Sequence, residues 1–550
     1  MFDKKIAYFS MGIGLNNNFR TYAGGLEILA GDIAKAAFRI EAPMYFMAIL
    51  WKKGYNTQLI DKDGNIIDDV EVQNDWQEYV EDTGKKVNIK MFGRTLWIKI
   101  WKYKYGTAYF LDTDIPENYP QNKDLVALTK SLYGGRWQNR EHERICQEMI
   151  LGIGGVRAFK ALGIDVDGYH FNDGHPVFAA FELLKNNMDS GYEFEQSVKM
   201  IKNKIYFTTH TNVPAGNESH NIDDMILCGA NLNLTKEQLI KIGGTPFSMT
   251  VAAIRLSGTE NCNGVAKLHA ERAYEMWKDV KPDLKIKSIT NGVDKYTWQE
   301  ENIRNVFNQI NENGKYLDLL KAHMENKKKL IQFIFEKTGS NFDINLPLIG
   351  FARRATEYKR WNLVFKDEKR LEELIKKYKY QFVFSGKSHK DDKQGKSYIK
   401  EVYKLSKKYP NNIAFIQGYE MSIGKLMTSG SDFWLNTPRR PLEACGTSGM
   451  KAAMNGVLNI STLDGWWPEA EINGVNGWTI GTTQEDKDFK VQDERDHNSL
   501  MHLLETDIIN AYNDKARLSY MMYQSIKMSE TQFDAERMVK DYYNKMYEKE

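Results

Sequence analysis

The sequence has 550 residues, 42% of them hydrophobic, and a formal net charge of only +2. This length favours two or more domains, and the balanced charge gives no reason to expect nucleic acid or an anionic membrane as a partner. No run of about 18 apolar residues predicts a transmembrane helix, and the first ten residues are typical of a buried strand rather than a signal peptide. The four cysteines are too dispersed for a zinc site or a disulfide framework, so we expect a cytoplasmic protein without a bound metal.

The N-terminal half is predicted to alternate strands and helices, with one stretch rich in β structure. Residues 6–14 (IAYFSMGIG) are typical of a strand that runs into a glycine-rich loop. Residues 87–111 alternate apolar and polar side chains around turn glycines, and we interpret them as a hairpin excursion from an α/β core. The other predicted elements of this half are helices over 26–38, 140–162 and 265–277 and strands at 43–50, 168–172 and 205–210.

A second α/β rhythm follows a helical connector at residues 302–338. The hydrophobic pattern switches repeatedly between the strand period and the helix period, as it does in parallel α/β sheets. The predicted strands of this half are 348–353, 382–387, 413–419, 433–438 and 457–462, and the predicted helices are 362–378, 394–408, a turn and helix at 444–456, and 534–547.

Alternating strands and helices predict an α/β protein with parallel sheets and right-handed crossovers. Because two such units are joined by a helical connector, we expect two doubly wound, Rossmann-like lobes that face each other across a cleft. The predicted N-terminal lobe spans 1–298 and includes the hairpin, the C-terminal lobe spans 299–527, and a helix in 528–550 returns to the first lobe. Ligands of open parallel sheets bind at the carboxyl ends of strands, and the motifs described next all follow predicted strands.

The most informative motif is the turn GTSGMK, which opens a helix at Gly446 and places Lys451 within the first turns. Backbone N–H groups at a helix start attract anions, and a lysine beside such a site is the arrangement that pyridoxal phosphate requires. The alternative interpretation is a glycine-rich turn with a surface lysine, and the spacing alone does not exclude it.

A cluster of four basic residues follows the predicted strand at 348–353. Within FARRATEYKR, Arg353, Arg354, Lys359 and Arg360 lie inside eight positions. Guanidinium groups bind phosphate through two parallel hydrogen bonds, and a lysine adds a point charge, so the cluster is a candidate phosphate clamp. A solvated basic helix start is the alternative.

Several further candidates are weak when taken one by one. His210 ends a predicted strand, and Asp173 and His175 follow another in the segment FNDGHP; a single histidine is more often structural than catalytic. The pair Gly24-Gly25 and two Asn-Gly turns, at 263–264 and 291–292, are equally compatible with simple loop chemistry.

Taken in order, however, these segments resemble the glycogen and maltodextrin (α-glucan) phosphorylase family, in particular its short bacterial and archaeal members. The resemblance extends over roughly residues 5–480 and rests on several independent motifs in family order. The resembling segments are YAGGLEILAGD, LDTDIPEN, HFNDGHPVFAAFELL, FTTHTNVPAGN, NGVAKLH, ITNGVDKYTW, IGFARRATEYKR, DFWLNTPRRPLEACGTSGMKAAMNGVLN and LDGWW.

The resemblance implies a role for each matched position. Residues that match catalytic positions are Lys451, His210, Arg354 and Lys359. Residues that match positions around pyridoxal phosphate are Lys451, Gly446, Thr447, Ser448, Arg353, Tyr419 and Trp298. Residues that match positions around the sugar and the substrate phosphate are Gly24, Gly25, Leu26, Asp173, His210, Asn291, Glu443 and Cys445.

The implied fold is the GT-B glycosyltransferase architecture, and the implied reaction is reversible phosphorolysis of an α-1,4-glucan to α-glucose 1-phosphate with retention. In this family the phosphate of pyridoxal phosphate exchanges a proton with the substrate phosphate. Phosphate has a second pKa near 6, which suits proton transfer near neutral pH, and no carboxylate nucleophile is needed, in contrast to most glycosidases. The resemblance also implies a homodimer.

Three positions depart from the family pattern. Glu27 replaces a glycine in the glycine loop, Gly12 replaces a glutamate after the first strand, and Cys445 replaces a serine near the sugar. A carboxylate beside a phosphate site repels the substrate unless it points away. We therefore interpret Glu27 as a carboxylate that compensates for the one missing at Gly12, and we expect Cys445, a weaker hydrogen-bonding group, to alter sugar recognition.

Two other functions are compatible with parts of the sequence. The basic cluster and the Gly24-Gly25 pair also suit a nucleotide-sugar glycosyltransferase of the same architecture, although such an enzyme needs no Lys451. The changes at Gly12, Glu27 and Cys445 also suit a glucan-binding paralogue without catalytic activity. Visible absorption from a lysine-bound cofactor separates the phosphorylase from the transferase.

Overall fold

A computed structural model describes residues 2–70, 74–133, 138–212, 216–310 and 315–548. Its parallel sheets flanked by helices confirm the predicted α/β class. The chain forms two compact units that are each assembled from separate stretches of sequence. Unit 1 comprises Met1–Tyr55, Glu71–Thr290 and Met538–Glu550, and unit 2 comprises Asn56–Val70 and Asn291–Arg537.

Unit 1 is built on a sheet that, among the described residues, has nine strands in the order β13-β12-β9-β8-β1-β2-β7-β6-β5. Strands β5 to β7 are antiparallel neighbours, and the other neighbouring pairs are parallel. The strands are β1 (Ile6–Phe9), β2 (Met44–Ile49), β5 (Val80–Met91), β6 (Arg94–Tyr103), β7 (Ala108–Asp112), β8 (Gly168–Asn172), β9 (Ile205–Thr208), β12 (Cys262–Gly264) and β13 (Ile286–Ser288), with β10 (Ser219–His220) and β11 (Phe247–Ser248) forming a separate pair.

The order of this sheet places β1 at the topological switch point. The chain first adds β2 on one side of β1 and later adds β8 on the other side. Because crossovers on the two sides diverge there, the carboxyl ends of β1 and β8 border the crevice in which doubly wound sheets bind ligands. Ser10 follows β1, Asp173 follows β8, and His210 lies two residues beyond β9.

Helices cover this sheet, and one large apolar cluster lies between them and the sheet. Helix α1 shows why the local sequence folds as it does: buried alanine, isoleucine and leucine side chains recur at helical spacing between Ile28 and Ala37. The α-helices of unit 1 are α1 (Gly25–Arg39), α2 (Arg140–Met149), α3 (Gly155–Ala161), α4 (Phe178–Asp189), α5 (Phe194–Lys202), α6 (Ile222–Cys228), α7 (Lys236–Gly243), α8 (Met249–Leu256) and α9 (Lys267–Trp277), and a π-helical stretch, Ile150–Gly154, lies between α2 and α3.

The C-terminal segment is an integral part of unit 1. The Tyr547 hydroxyl lies 2.6 Å from His170 Nδ1, and the Tyr542 hydroxyl lies 3.3 Å from Thr208 Oγ1. Both tyrosines are completely buried, and the Tyr547 ring packs edge-on against that of Tyr206 at 4.9 Å. Residues far apart in the sequence therefore complete the core beside β8 and β9.

Unit 2 is built on a parallel sheet of six described strands in the order β16-β15-β14-β17-β18-β19. Here β14 and β17 border the switch point, since the chain adds β15 and β16 on one side of β14 and β17 to β19 on the other. The strands are β14 (Leu348–Ala352), β15 (Gln381–Ser385), β16 (Ile413–Ile416), β17 (Phe433–Asn436), β18 (Leu458–Thr462) and β19 (Gly477–Ile480), and β3 (Thr57–Ile60) and β4 (Ile66–Val70) form an antiparallel hairpin in this unit.

The helices of unit 2 surround its sheet, and a buried ion pair links one of them to the sheet. Lys327 donates to Asp432 Oδ2 over 2.6 Å, and His323 Nε2 lies 3.0 Å from Asp432 Oδ1. The α-helices are α10 (Lys295–Trp298), α11 (Glu301–Gln309), α12 (Leu317–Thr338), α13 (Glu368–Lys376), α14 (Lys393–Lys408), α15 (Met421–Gly430), α16 (Thr447–Met454), α17 (Phe489–Glu505), α18 (Asp507–Asn513) and α19 (Lys515–Gln532). The last helix, α20 (Ala535–Tyr542), begins in unit 2 and continues into unit 1, where a π-helical stretch, Tyr543–Tyr547, follows it.

Two features differ from the sequence-based expectation. The predicted hairpin within 87–111 is present as β5 and β6, which meet at Gly93, but it is not an excursion from the core: β5, β6 and β7 extend the main sheet, and β7 pairs in parallel with β2. The hairpin of β3 and β4 was not predicted, since its alternating segments are short and largely polar; Ile60 nevertheless joins the core of unit 2. The predicted connector at 302–338 contains α11 and α12, and its residues 311–314 lie outside the described residues.

Candidate active site

The candidate residues of unit 2 gather at the carboxyl ends of its strands, beside the switch point. Arg353 follows β14 directly, Tyr419 follows β16, and the segment from Thr437 to Gly446 connects β17 with α16. Because all strands of this sheet run in the same direction, these positions meet at one edge.

Two cations share one carboxylate in this region. Arg353 Nη2 donates to Glu443 Oε2 over 2.5 Å, and Lys359 Nζ donates to the same oxygen. All three side chains are buried. Burial would raise the pKa of Glu443, but Arg353 and Lys359 outweigh burial and hold it below its usual value. Burial and the charge of Arg353 lower the pKa of Lys359 to about 8. The cluster thus keeps an excess of positive charge away from bulk water, which favours an additional anion.

Arg354 differs from its neighbours in this cluster. Its side chain is exposed, whereas Arg353 and Lys359 are buried. Among the described residues, the ion-pair partners of Glu443 are Arg353 and Lys359, not Arg354. The predicted four-residue clamp therefore divides into a buried pair and one exposed arginine, while Arg360 pairs with Asp493 and Asp496.

The turn before α16 approaches this cluster closely. Gly446 has a left-handed backbone, with φ of 88°, and a Cβ at this position would lie 3.3 Å from Arg353 Nη2. A glycine is therefore required for both the backbone and the approach. The first N–H groups of an α-helix have no partner within the helix, and at the start of α16 these groups follow Gly446, which lies close to Arg353. Ser448 Oγ accepts a hydrogen bond from Trp434 Nε1 over 3.2 Å, which anchors the turn to β17.

Lys451 is held on the following turn of α16. Its side chain is 9% exposed, and its Nζ lies 3.5 Å from the centroid of the Trp298 ring. The Asn455 amide donates to the carbonyl oxygens of Trp298 and Lys451 over 2.8 and 2.9 Å, which joins α10 to α16. The alternative of a surface lysine is therefore wrong, because this amine is buried against an aromatic face.

Tyr419 and an unsatisfied guanidinium nitrogen complete this part of the site. Burial raises the pKa of Tyr419 to about 12, against the opposing charge of Arg353. The Tyr419 hydroxyl would lie 2.8 Å from a Cβ at Gly424, so α15 approaches it closely. Arg353 Nη1 is buried and has no hydrogen-bond partner among the described residues. A buried donor of this kind is costly unless an anion binds to it.

A second segment braces the residues around Cys445. The carboxylate of Asp464 accepts from the backbone N–H groups of Glu443 and Gly465, each over 2.9 Å, and Trp466 N–H donates to the Cys445 carbonyl over 3.1 Å. Burial raises the pKa of Asp464 to about 7 and that of the Cys445 thiol well above its usual value. Asn291 contacts this thiol through both its backbone and its side chain.

In unit 1, the glycine loop opens α1. A Cβ at Gly24 or Gly25 would meet no atom of the described residues within 4 Å, so packing against that part of the chain does not require glycine there. Leu26 is half-buried. Glu27 turns inward: its carboxylate accepts from Gly24 N–H over 2.9 Å and from the Tyr133 hydroxyl over 2.5 Å. The carboxylate therefore caps the helix start instead of facing a ligand.

Gly12 lies directly beside this glutamate. A Cβ at Gly12 would be 2.9 Å from Glu27 Cγ and 2.3 Å from the Thr21 carbonyl oxygen. Side chains at positions 12 and 27 thus compete for one space, which agrees with the interpretation that Glu27 compensates for the missing carboxylate. That interpretation stays a prediction until the exchange is made.

Asp173 and His210 flank the switch point of unit 1. Asp173 has a left-handed backbone, with φ of 70°, and burial raises its pKa to about 7. His210 Nε2 lies 2.7 Å from Asn172 Oδ1. Burial, with smaller contributions from neighbouring histidines, lowers the pKa of His210 to about 3, so its ring is neutral.

Asp173 also lines a cavity of about 330 Å³ within unit 1, a volume at the lower end of small-molecule sites. Arg144, on α2, donates to both carboxylate oxygens of Glu218 over 2.7 and 3.1 Å. Arg144 Nη1 and His175 Nδ1 are buried without a partner among the described residues. The lining residues are Tyr133, Arg144, Asp173, Gly174, His175, Gly216, Asn217, Glu218 and Thr250.

One group of side chains beside this cavity has the spacing of metal ligands. Ligand atoms of Glu148, Glu218 and His220 lie within 4.8 Å of one another. Arg144 already pairs with Glu218 and lies 3.6 Å from Glu148, so a guanidinium supplies the positive charge there. The expectation of a site without metal stays a prediction.

Sequence reasoning missed several of these residues. Arg144 and Tyr133 lie on a helix and a turn, away from any predicted strand end, and carried no motif signal. Asn172 and Asp464 stand inside segments that resemble the family, FNDGHP and LDGWW, but their roles depend on tertiary contacts. Attention to the polar residue that ends each strand would have found Asn172.

The comparisons with known proteins agree with this geometry. A family model described as carbohydrate phosphorylase matches residues 294–486. The chain is 34% identical to the maltodextrin phosphorylase of Thermococcus litoralis, over all of this chain and 71% of that protein. It is 30% identical to the glycogen phosphorylase of Aquifex aeolicus, over all of this chain and 87% of that protein. It is 31% identical to the glycogen phosphorylase of Mycobacterium bovis, over 98% of this chain and 70% of that protein. Among the described residues, no helix has the length and apolar character needed to cross a membrane. The predicted family is therefore confirmed, and the chain belongs to the carbohydrate phosphorylases.

Proposed function

We propose that this protein catalyses the reversible phosphorolysis of α-1,4-glucan, releasing α-glucose 1-phosphate with retention. The observation that carries the proposal is the cluster at the β14–β17 switch point of unit 2. There, two buried cations share one carboxylate beside a helix start that bears the buried Lys451. The names of the related enzymes, maltodextrin phosphorylase and glycogen phosphorylase, support the same reaction.

We further propose that the two units are the lobes of the GT-B architecture. Two α/β sheets built mainly of parallel strands, each with its own switch point, support this assignment. Unit 1 then represents the N-terminal lobe predicted over 1–298, and unit 2 represents the cofactor lobe predicted over 299–527. The predicted C-terminal helix, 528–550, contributes its last part to unit 1.

The residues of unit 2 fit pyridoxal phosphate. Arg353 Nη1 is an unsatisfied buried donor, and the N–H groups at the start of α16 add an anion site. Lys451 would hold the cofactor through its amine, Gly446, Thr447 and Ser448 would surround its phosphate, and Trp298 and Tyr419 would pack against it. When bound, the cofactor supplies a phosphate group that exchanges a proton with the substrate phosphate. Cytoplasmic location and a homodimer stay predictions from the family resemblance.

The substrate phosphate would bind to Lys359 and Arg354. At an effective dielectric constant of about 20, a positive charge about 4 Å from a phosphate charge contributes roughly 4 kcal/mol of attraction. These two cations therefore offset the repulsion between two adjacent phosphates. The exposed position of Arg354 lets its side chain reorient toward an arriving anion. The pKa of Lys359 is about 8, so its amine is mostly protonated at neutral pH and would present a positive charge to phosphate.

From the family resemblance, we assign two sets of polar residues to the sugar hydroxyls. In unit 2 these are Asn291, Glu443 and Cys445, and in unit 1 they are Asp173 and His210. The carbonyl of His210 would face the reacting carbon and stabilise its positive charge in the transition state. By the same resemblance, we assign the loop of Gly24, Gly25 and Leu26 at the start of α1 to the substrate phosphate.

The test is phosphate-dependent release of glucose 1-phosphate from maltodextrin by wild type, Lys451→Ala and Lys404→Ala. Lys404 is exposed on α14 and serves as the matched control. We expect release by wild type and the control, and none by Lys451→Ala. We also expect a visible absorption band that borohydride removes while it fixes the cofactor covalently to Lys451. Absence of release with the band present would refute glucan phosphorolysis, and glucosyl transfer from a nucleotide sugar instead would support the transferase.

A further inference from the structure

A hydrogen-bonded chain runs from His210 into the interior of unit 1. His210 Nε2 lies 2.7 Å from Asn172 Oδ1, the Asn172 amide nitrogen lies 3.0 Å from Ser10 Oγ, and Ser10 Oγ lies 2.8 Å from the Gly12 carbonyl oxygen. Asn172 and Ser10 are fully buried. We call this chain of His210, Asn172, Ser10 and Gly12 the relay.

Strand pairing explains why these residues meet. The parallel register of β1 and β8 aligns Phe9 with Phe171, so the next residues, Ser10 and Asn172, are neighbours at the carboxyl end of the sheet. The register of β8 and β9 aligns Asn172 with Thr208, two residues before His210. The relay therefore spans three adjacent strands at the switch point.

The relay has a direction because its last member is a carbonyl. The Gly12 oxygen can only accept, so the single hydroxyl proton of Ser10 points toward it. Ser10 Oγ must then accept from the amide NH₂ of Asn172, which leaves Asn172 Oδ1 facing His210. A carbonyl oxygen can only accept, and His210 Nε2 therefore carries the ring proton. In the reversed arrangement, Ser10 would donate to Asn172 and abandon the Gly12 oxygen.

We propose that Asn172 and Ser10 are positioning residues that hold His210 as the neutral tautomer with its proton on Nε2, so that Nδ1 offers a hydrogen-bond acceptor to a sugar hydroxyl. This inference rests on the proposed function for its ligand, although the tautomer itself does not depend on activity. Burial supports a neutral ring, because it lowers the pKa of His210 to about 3.

The consequence is a requirement on the ligand. An unprotonated Nδ1 binds a hydroxyl that donates, and it gains nothing from an ether or a fluorine at the same place. Losing one such hydrogen bond in a buried site costs roughly 10- to 100-fold in affinity or rate. If Nδ1 carried the proton instead, a fluorinated sugar would retain part of the interaction.

The first experiment measures the tautomer directly. ¹⁵N chemical shifts of the His210 ring, assigned by the signals that His210→Gln removes, distinguish a protonated nitrogen from an unprotonated one. In the full-length wild-type protein without substrate, we expect Nε2 protonated and Nδ1 unprotonated. Ser10→Ala frees Asn172 to rotate and should produce a mixture of tautomers. Ser197→Ala, which removes another buried serine hydroxyl of unit 1 that has no partner among the described residues, should not.

The second experiment measures recognition. In the synthetic direction, monodeoxy and monofluoro analogues of glucose 1-phosphate should reveal one hydroxyl whose loss reduces kcat/KM about 10- to 100-fold in wild type. In Asn172→Leu and in Ser10→Ala, the same analogue should lose much less relative to glucose 1-phosphate.

Two results would overturn the proposal: a wild-type His210 with its proton on Nδ1, or a Ser10→Ala protein with an unchanged tautomer and an unchanged analogue profile. Ser10→Ala removes a single oxygen atom, so it keeps the test decisive if Asn172→Leu fails to fold. The expected tautomer in a protein that releases no glucose 1-phosphate would refute the proposed function and leave the relay intact.

Discussion

Exchanging the carboxylate between positions 27 and 12 tests whether one negative group can hold the glycine loop either from α1 or from the segment that follows β1. The perturbations are Glu27→Gly, Gly12→Glu and the double variant, which together form a double-mutant cycle. In the present protein, the Glu27 carboxylate accepts from Gly24 N–H and the Tyr133 hydroxyl. If the glutamate introduced at position 12 takes over these bonds, the two substitutions must be strongly coupled.

The magnitudes follow from the contacts. Glu27→Gly removes two hydrogen bonds to a charged acceptor, each worth about 1.5–3 kcal/mol, so it should destabilise unit 1 by about 3–6 kcal/mol. Gly12→Glu alone drives a Cβ toward the Thr21 carbonyl and Glu27 Cγ, an overpacking cost of about 1–3 kcal/mol. The double variant removes one of the two clashes and restores the acceptor, so we expect an interaction energy of at least about 2 kcal/mol.

Urea denaturation and the KM for phosphate are the measurements, with Arg39→Gly at the exposed end of α1 as the control for glycine in this helix. The double variant should lose less stability than the sum of the losses in the two single variants. It should also restore the wild-type KM for phosphate, which we expect Glu27→Gly to raise. Stabilities that add within about 0.5 kcal/mol, with a KM that does not recover, would refute the compensation of Gly12 by Glu27.

Three further outcomes are expected. Because the pKa of Lys359 is lowered to about 8, its ammonium form is lost above that pH; kcat/KM for phosphate should fall there, and Lys359→Arg should abolish this alkaline decline. Glu443→Gln removes the anion that supports the charge of Lys359, so the decline should move to lower pH; an unchanged profile would contradict their pairing. Lys327→Met leaves Asp432 buried without its cation and should cost about 3–5 kcal/mol in urea denaturation, whereas a loss below about 1 kcal/mol would show that the pair is dispensable.

Local patterns in the sequence predict much of unit 2 and less of unit 1. The turn at Gly446 and the basic residues after β14 follow strands that are buried and apolar, so hydrophobic periodicity and turn residues suffice to place them at strand ends. The burial of Lys451 against Trp298 could not be predicted from spacing, because it depends on the docking of α10 beside α16. The family resemblance, not the local pattern, identified Trp298.

Contacts that depend on sheet order were not predictable in the same way. The relay joins the ends of β1, β8 and β9, and only the strand order places Ser10, Asn172 and His210 together. The same limitation explains why the attachment of the strands over 87–111 to the main sheet was not predicted: alternation predicts strands, but the partner of an edge strand is decided by long-range pairing. The pairing of Arg144 with Glu218 likewise joins residues separated by 74 positions.

The interleaved chain path of the two units constrains how this protein is synthesised. Unit 1 contains both the first strand and the final segment from Met538 onward, and the stretch Asn291–Arg537 of unit 2 is translated between them. On the ribosome, β8 and β9 must therefore wait for Tyr542 and Tyr547, whose rings close their core and whose hydroxyls reach His170 and Thr208. The first strands of unit 1 are thus made before most of unit 2 but are completed after it, and a nascent chain that stops before Met538 would carry an open apolar core, a target for chaperones and proteases.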